Sequence, residues 1–442
     1  MNKLISGLLL LCLFALPGHV RAADKADPAK EYIDALKKVL TDGTYDDYEK
    51  QITGLLLAGD YASLDDYFAK LQGAYEAGAI DDVLLDFAFS PLLEHEDPWS
   101  VSPPRVEYEA KYNEWVAKSP DSYAAHLLAA NYHAAVSRAI RAHRYPGLTE
   151  AGEDKGATER IKKAADENEE SFKHAKKPLL SYANALELEK SNAGTEASKS
   201  YVRAAAKDIL DHADKLDPAN LTARRVYMTL LSPRWFGNAA AMQDYVGQLK
   251  KESLPQGKAE FLEGIMYAEI ARSYYEHADL EGARLYAQKG ATYEFDYLDY
   301  DFGQDALKIF IHVSHDRWQK DGTSLNDQSY LGALDLLLKP GRHVKNPGFY
   351  YGQRAKIRWD YLHEIPEAWA DFQKGLSFGD AYSAYSVAQA YCVGKAELNI
   401  QVSMAKCSES MTAAADLGSP DADSFLDSLA KADFSANPHL PR

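Results

Sequence analysis

An all-α fold, an α-solenoid of antiparallel helix pairs, is the architecture this 442-residue sequence predicts. Three observations lead there. Apolar residues recur at helical spacing along most of the chain, prolines preceded by Ser or Asp punctuate it, and strict polar–apolar alternation is scarce.

The first 22 residues read as a cleavable export leader. Lys3 gives a positive start, Leu4 to Leu16 forms an apolar run, Pro17 and Gly18 break it, and Val20-Arg21-Ala22 supplies a cleavage site after Ala22. The run is shorter than the roughly 20 apolar residues that span a bilayer. Cys12 follows Leu11, where a lipid-attachment signal needs a small residue, so no lipid anchor is expected. No later segment is apolar enough to cross a membrane, and the expected location is the periplasm.

Residues 23–118 form an acidic helical region. Between residues 24 and 110 there are 20 Asp and Glu against 7 Lys and Arg. Losing Lys3 and Arg21 with the leader takes the formal charge of the whole chain from −17 to −19. A basic stripe able to neutralise phosphates is missing, so nucleic acid is not an expected partner. The acidity serves solubility or attracts a basic partner.

Residues 119–293 continue the helical pattern, with an Ala-rich run through Ala124, Leu127, Leu128 and Asn131 to Ala135. Ser119-Pro120-Asp121, Asp217-Pro218-Ala219 and Ser419-Pro420-Asp421 each close one helix and open the next, because Pro fits a first helical turn. About sixteen to nineteen helices are expected in all. Residues 294–431 make a C-terminal helical region, and 432–442 a tail.

Repeats are clearest near the C-terminal end. Ala381 to Gly394 resembles the first helix of a Sel1-like repeat, with Val387 and Ala388 at its Leu-Gly positions, Tyr391 at its Tyr and Gly394 at its turn. Thr412 to Gly418 resembles the end of the second helix, Ser419 to Leu426 the start of another unit, and Ala368, Trp369, Phe372 and Gly375 the close of the preceding one. Upstream, Trp115-Val116 with Ser119-Pro120, Ala124, Leu127 and Ala130 is similar to a tetratricopeptide junction. Ala213 to Pro218 before Leu221 is another, and Gly264, Tyr267, Ala283 and Ala287 sit near that motif's Gly, Tyr and Ala positions. The resemblance implies a superhelix with a concave binding surface. Ser232-Pro233-Arg234-Trp235-Phe236-Gly237-Asn238 with Met242 also resembles the Pro-Arg-Trp-Gly-Gly signature of a bacterial family without an assigned activity. Ser122, Ala125 to Leu127 and Arg141 to Tyr145 suit its earlier segment, while Phe236, Ala142 and Arg144 replace its glycines.

Catalytic motifs are missing: no Gly-x-Ser-x-Gly, His-Glu-x-x-His, phosphate loop or Gly-x-Gly-x-x-Gly occurs. Ser403 to Lys406 and Ser428 to Lys431 match Ser-x-x-Lys at the frequency expected by chance. His312, His315 and Asp316 share one side of a helix, but no third ligand stands at fixed spacing, and Phe310 and Trp318 suit a packed face. Glu94 to Asp97 reads as a solvated loop. No metal, cofactor or catalytic residue is expected.

The candidate binding residues are aromatic and acidic. Tyr293, Tyr297 and Tyr300 alternate with Asp296, Asp299 and Asp301, near Tyr286, Phe295 and Phe302. Rings beside carboxylates hold Lys or Arg side chains, or sugars; the same rings also pack between helices. Arg234 and Trp235 form a second candidate, at a corner that equally suits structural packing. Cys392 and Cys407 lie at the facing ends of paired helices and are expected to form a disulfide, about 5.5 to 6 Å between Cα atoms. The function these features suggest is a scaffold for a protein or basic peptide. A Sel1-type cell-envelope enzyme acting on wall or β-lactam substrates, or a polysaccharide-handling module, are the alternatives.

Overall fold

A computed structural model describes residues 28–42, 44–93, 106–140, 151–191, 196–235, 237–252, 254–293, 305–321, 328–339, 344 and 347–431. Among them the chain is all-helical, with neighbouring helices packed pairwise as in an α-solenoid, and its one extended contact is an isolated bridge, Lys395 to Ile400. The described α-helices number twenty, slightly more than expected. Helices of eight or nine residues, such as Asp82–Phe89 and Thr222–Leu230, are too short to stand out by periodicity.

Two compact units divide the chain. Unit 1 (residues 1–277 with 292–303) contains α1 (Pro28–Asp42), α2 (Tyr45–Ala58), α3 (Tyr61–Glu76), α4 (Asp82–Phe89), α5 (Val106–Lys118) and α6 (Tyr123–Ile140). It continues through α7 (Ala151–Ser171), α8 (Leu179–Ser191), α9 (Glu196–Leu216), α10 (Thr222–Leu230), α11 (Ala239–Lys251) and α12 (Gln256–Glu276). Unit 2 (residues 278–291 with 304–442) contains α13 (Leu280–Ala291), α14 (Asp305–Asp321), α15 (Gln328–Leu337), α16 (Gly348–Ile357) and α17 (Ile365–Ser377). A π turn at Arg358–Leu362 separates the last two, and α18 (Ala381–Val393), α19 (Met404–Asp416) and α20 (Pro420–Lys431) complete the unit.

In unit 1 the Ala-rich α6 is buried along nearly its whole length. Small side chains let α5, α7, α8 and α3 all pack on it. Beside it, aromatic rings fill the N-terminal core: Phe68 lies 4.3 Å from Phe89, and the Tyr48 hydroxyl donates to the Ala88 carbonyl at 2.6 Å. Side-chain caps start several helices. Asp60 accepts from the Ser63 amide, Asp81 from Leu84 and Asn238 from Ala241, each arrangement contributing about 1 kcal/mol. Of the three prolines expected in a first helical turn, Pro420 opens α20, whereas Pro120 and Pro218 sit in turns ahead of α6 and α10. At the second turn the Asp217 side chain accepts the Ala219 amide, so the local reversal is an Asx turn and the helix begins after it.

A remote contact caps α10. Fully buried Asp82, at the start of α4, accepts the amides of Leu221 and Thr222 and the Thr222 hydroxyl, while Lys258 of α12 approaches its other oxygen at 3.1 Å. A carboxylate at a helix N-terminus satisfies orphan amides and meets the positive end of the dipole, and the lysine balances its charge.

Unit 2 packs through absent side chains. A Cβ on Gly375 of α17 would fall 2.2 Å from Ser383 Oγ of α18, and one on Gly352 of α16 would meet Asp380 and Ser383. The three helices therefore approach more closely than any Ala would permit. Asp380 caps α18 through the Ser383 amide at 2.7 Å, fixing the serine in the same crossing. Arg354 donates to both Asp371 oxygens, and Arg358 adds a third bond at 2.9 Å, tying α16 and the π turn to α17. Residues 381–393, 404–416 and 420–431 are helical, and Gly394 ends α18 with a φ of 73°.

Candidate functional site

An open groove of about 730 Å³ lies in unit 1. Its floor is one face of α3: Asp65, Phe68, Ala69, Gln72, Gly73 and Glu76, spaced at helical intervals. Its walls are two hairpin corners, Lys118 to Ala124 between α5 and α6, and Lys173 to Lys176 between α7 and α8. Gly73 leaves open space, since a Cβ there would meet nothing within 4 Å.

Two carboxylates on α3 hold the corners in place. Asp65 accepts the Trp115 indole N–H at 2.9 Å and the hydroxyls of Ser119 and Ser122. Glu76 accepts the amides of Lys176 and Lys177 and the Gln72 side-chain N–H. Charge-assisted bonds of this kind are about twice as strong as neutral ones. The hydroxyls of Ser119 and Ser122 thus donate their hydrogen bonds to a structural carboxylate.

Behind the groove His126 links the walls. Its Nδ1 lies 2.6 Å from Glu167 and its Nε2 2.9 Å from the Pro120 carbonyl. Two acceptors are satisfied together only by the doubly protonated ring. Burial disfavours that cation, but the hydrogen bonds to Glu167 and Pro120 outweigh it and raise the pKa above its ordinary 6.5. The ring of His174, which lines the groove, stacks on it at 5.4 Å.

The residues expected from sequence are distributed elsewhere. Asp296, Tyr297, Asp299, Tyr300 and Asp301 lie outside the described residues, as do Phe295, Phe302, Glu94 to Asp97, Arg141 to Tyr145 and Phe236. Tyr293 is half-buried, its ring 5.9 Å from Tyr267; burial first, then the neighbouring Glu263, pushes its hydroxyl pKa up. At the corner after α10, Trp235 is flanked by two cations, Lys190 and Arg234, each 5.7 Å from its ring, and Arg234 lies 3.6 Å from Glu276. Gly237 is required there, because a Cβ would strike the Leu231 carbonyl.

Cys392 and Cys407 form a disulfide, with Cα atoms 4.8 Å apart, joining α18 to α19. His312 stacks on Phe349 at 5.1 Å, and burial lowers its pKa to about 4. His315 Nδ1 lies 2.9 Å from the side-chain oxygen Oε1 of Gln353. Both histidines thus belong to the packing of α14 against α16. Ser403 is the N-cap of α19, its hydroxyl accepting the Lys406 amide, so this Ser-x-x-Lys run serves as a helix start. Ser428 donates to the Ser424 carbonyl within α20.

The groove itself was not legible in the sequence. Its members come from three distant segments, and only those of the Ser119 to Ala124 corner had drawn notice, as a helix boundary and as parts of repeat-like motifs. No protein-family model matches the chain, and no curated protein matches it.

Proposed function

We propose that the chain is an exported helical-repeat scaffold of the Sel1-like and tetratricopeptide type, which binds a protein or peptide in the groove on α3. The observation that supports this reading is the groove itself: an open concavity of about 730 Å³ whose walls are braced by Asp65 and Glu76. Sites of roughly 300 to 1,000 Å³ are typical for small occupants. A braced wall costs less ordering entropy when an occupant arrives. A leader cleaved after Ala22 would support a periplasmic location for this activity.

A photo-cross-linking residue at Ala69 or Ala175, introduced in cells, tests the proposal against the same residue at Tyr201, which is 74 % exposed on α9. Discrete adducts from the groove positions and none from Tyr201 are expected. Equal, diffuse labelling from all three would overturn the scaffold reading. Amino-terminal sequencing of the mature protein, with Ala23 first, checks the export step.

A further inference from the structure

We propose that the walls of the α3 groove are gated by protonation: with His126 as a cation they are tied together, and loss of its proton as pH rises frees the corner that carries Pro120. What the gate serves rests on the scaffold reading above, while the gate itself rests on geometry. Both ring nitrogens of His126 face an acceptor, Nδ1 the Glu167 carboxylate at 2.6 Å and Nε2 the Pro120 carbonyl at 2.9 Å. A neutral ring carries one N–H and serves only one of them. The charge-assisted bond to Glu167 is the stronger, so a neutral ring gives up the bond to Pro120.

That bond joins the two sides of the groove. Pro120 belongs to the corner between α5 and α6, and Glu167 to α7, which leads into the corner of Lys173 to Lys176. His174 of the second corner stacks on His126 at 5.4 Å, and its Nε2 lies 3.3 Å from Glu170. Glu170 also faces His126 and pairs with Lys173. Further along α7, Arg160 and Lys163 face His133, two turns beyond His126, and Arg160 pairs with Glu109 of α5. From α3, Asp65 reaches the turn below through Ser122, whose carbonyl accepts the His126 amide at 3.3 Å. From α8, Ser181 meets the Tyr123 hydroxyl at 3.4 Å. Burial works against the His126 cation, but the bonds to Glu167 and Pro120 hold its proton above the ordinary 6.5. Once the proton leaves, the Asp65 bonds to Ser119 and Ser122 persist, so the corner shifts and stays folded. A wall no longer fixed must be ordered by its occupant, and occupancy falls as pH rises.

Spin labels attached after the substitutions Asp121→Cys and Lys176→Cys, one on each wall, read the gate in the purified chain. Cys392 and Cys407 are bonded to each other and take no label. The distribution of label distances should broaden at least about twofold between about pH 6 and about pH 9. The same labels in a His126→Gln background should give one distribution at both pH values. Nitrogen-15 spectra should show both ring nitrogens of His126 protonated at about pH 6 and only Nδ1 at about pH 9. If His126→Gln does not fold, Glu167→Gln takes its place and should move the transition down by about one pH unit or more. A distance distribution that ignores pH in the parent, or one that broadens equally without His126, would overturn the proposal. Groove cross-links from Ala69 and Ala175 should fall at least about threefold over the same range. Their absence at every pH would sink the scaffold reading and leave the gate to the wall distances.

Discussion

The carboxylate of Asp82 and the amide of Thr222 lie 2.7 Å apart although 140 residues separate them along the chain. With Lys258 completing the contact, one buried side chain joins the starts of α4 and α10 to α12. Asp82→Ala leaves two helix amides without their acceptor and the lysine, which still donates to the Ala219 carbonyl, without its counter-charge. Breaking a buried pair from one side costs about 3 to 5 kcal/mol, and we expect a loss in that range. Urea unfolding of unit 1 measures it. A change under about 1 kcal/mol would mean that water replaces the carboxylate without difficulty.

Asp65→Ala should act more locally. The indole of Trp115 and two serine hydroxyls lose one acceptor, and each buried donor left unmade costs about 1 to 3 kcal/mol. Hydrogen exchange should accelerate at residues 119–125 and stay unchanged in α16 to α18. Uniform acceleration would show that the carboxylate supports global stability instead of the groove wall.

His126 predicts a pH dependence of definite sign. Its folded pKa is raised, so its contribution is fully present below about 6.5, the unfolded value, and is lost as pH rises through the folded value. His126→Gln, which cannot serve both acceptors as a cation, should lower the melting temperature at pH 6 and narrow the gap to the parent at pH 9. A gap that widens with pH would contradict the charged ring.

The disulfide should be complete in the native protein. Alkylation before reduction should modify neither Cys392 nor Cys407, and after reduction both. In the chain-entropy model a loop of about 15 residues contributes about 3 kcal/mol. Cys392→Ser with Cys407→Ser should therefore unfold unit 2 at lower denaturant, with α18 to α20 opening first because the end of a stack has one neighbour.

What the sequence disclosed depended on the range of the interaction. Helices were legible because α6 and α18 carry their own spacing, and the disulfide was legible because both cysteines sit in one hairpin. The Asp82 cap and the Asp65 brace were not, since each joins residues 50 or more positions apart and neither Asp stands out among the acidic residues around it. Ser403 shows the converse, a short motif match at chance frequency whose serine serves as a helix cap.

The glycine crossing of α16, α17 and α18 makes that part of unit 2 work as a fulcrum. Helix axes normally stand about 8 to 10 Å apart, the spacing set by the side chains between them. Here Gly375 meets Ser383 with no room for a methyl group. A single added carbon has to lift α18, and the disulfide carries α19 with it. A shift of an ångström at the pivot then grows with distance toward α20, so the smallest residue in the crossing governs where the last helix comes to rest.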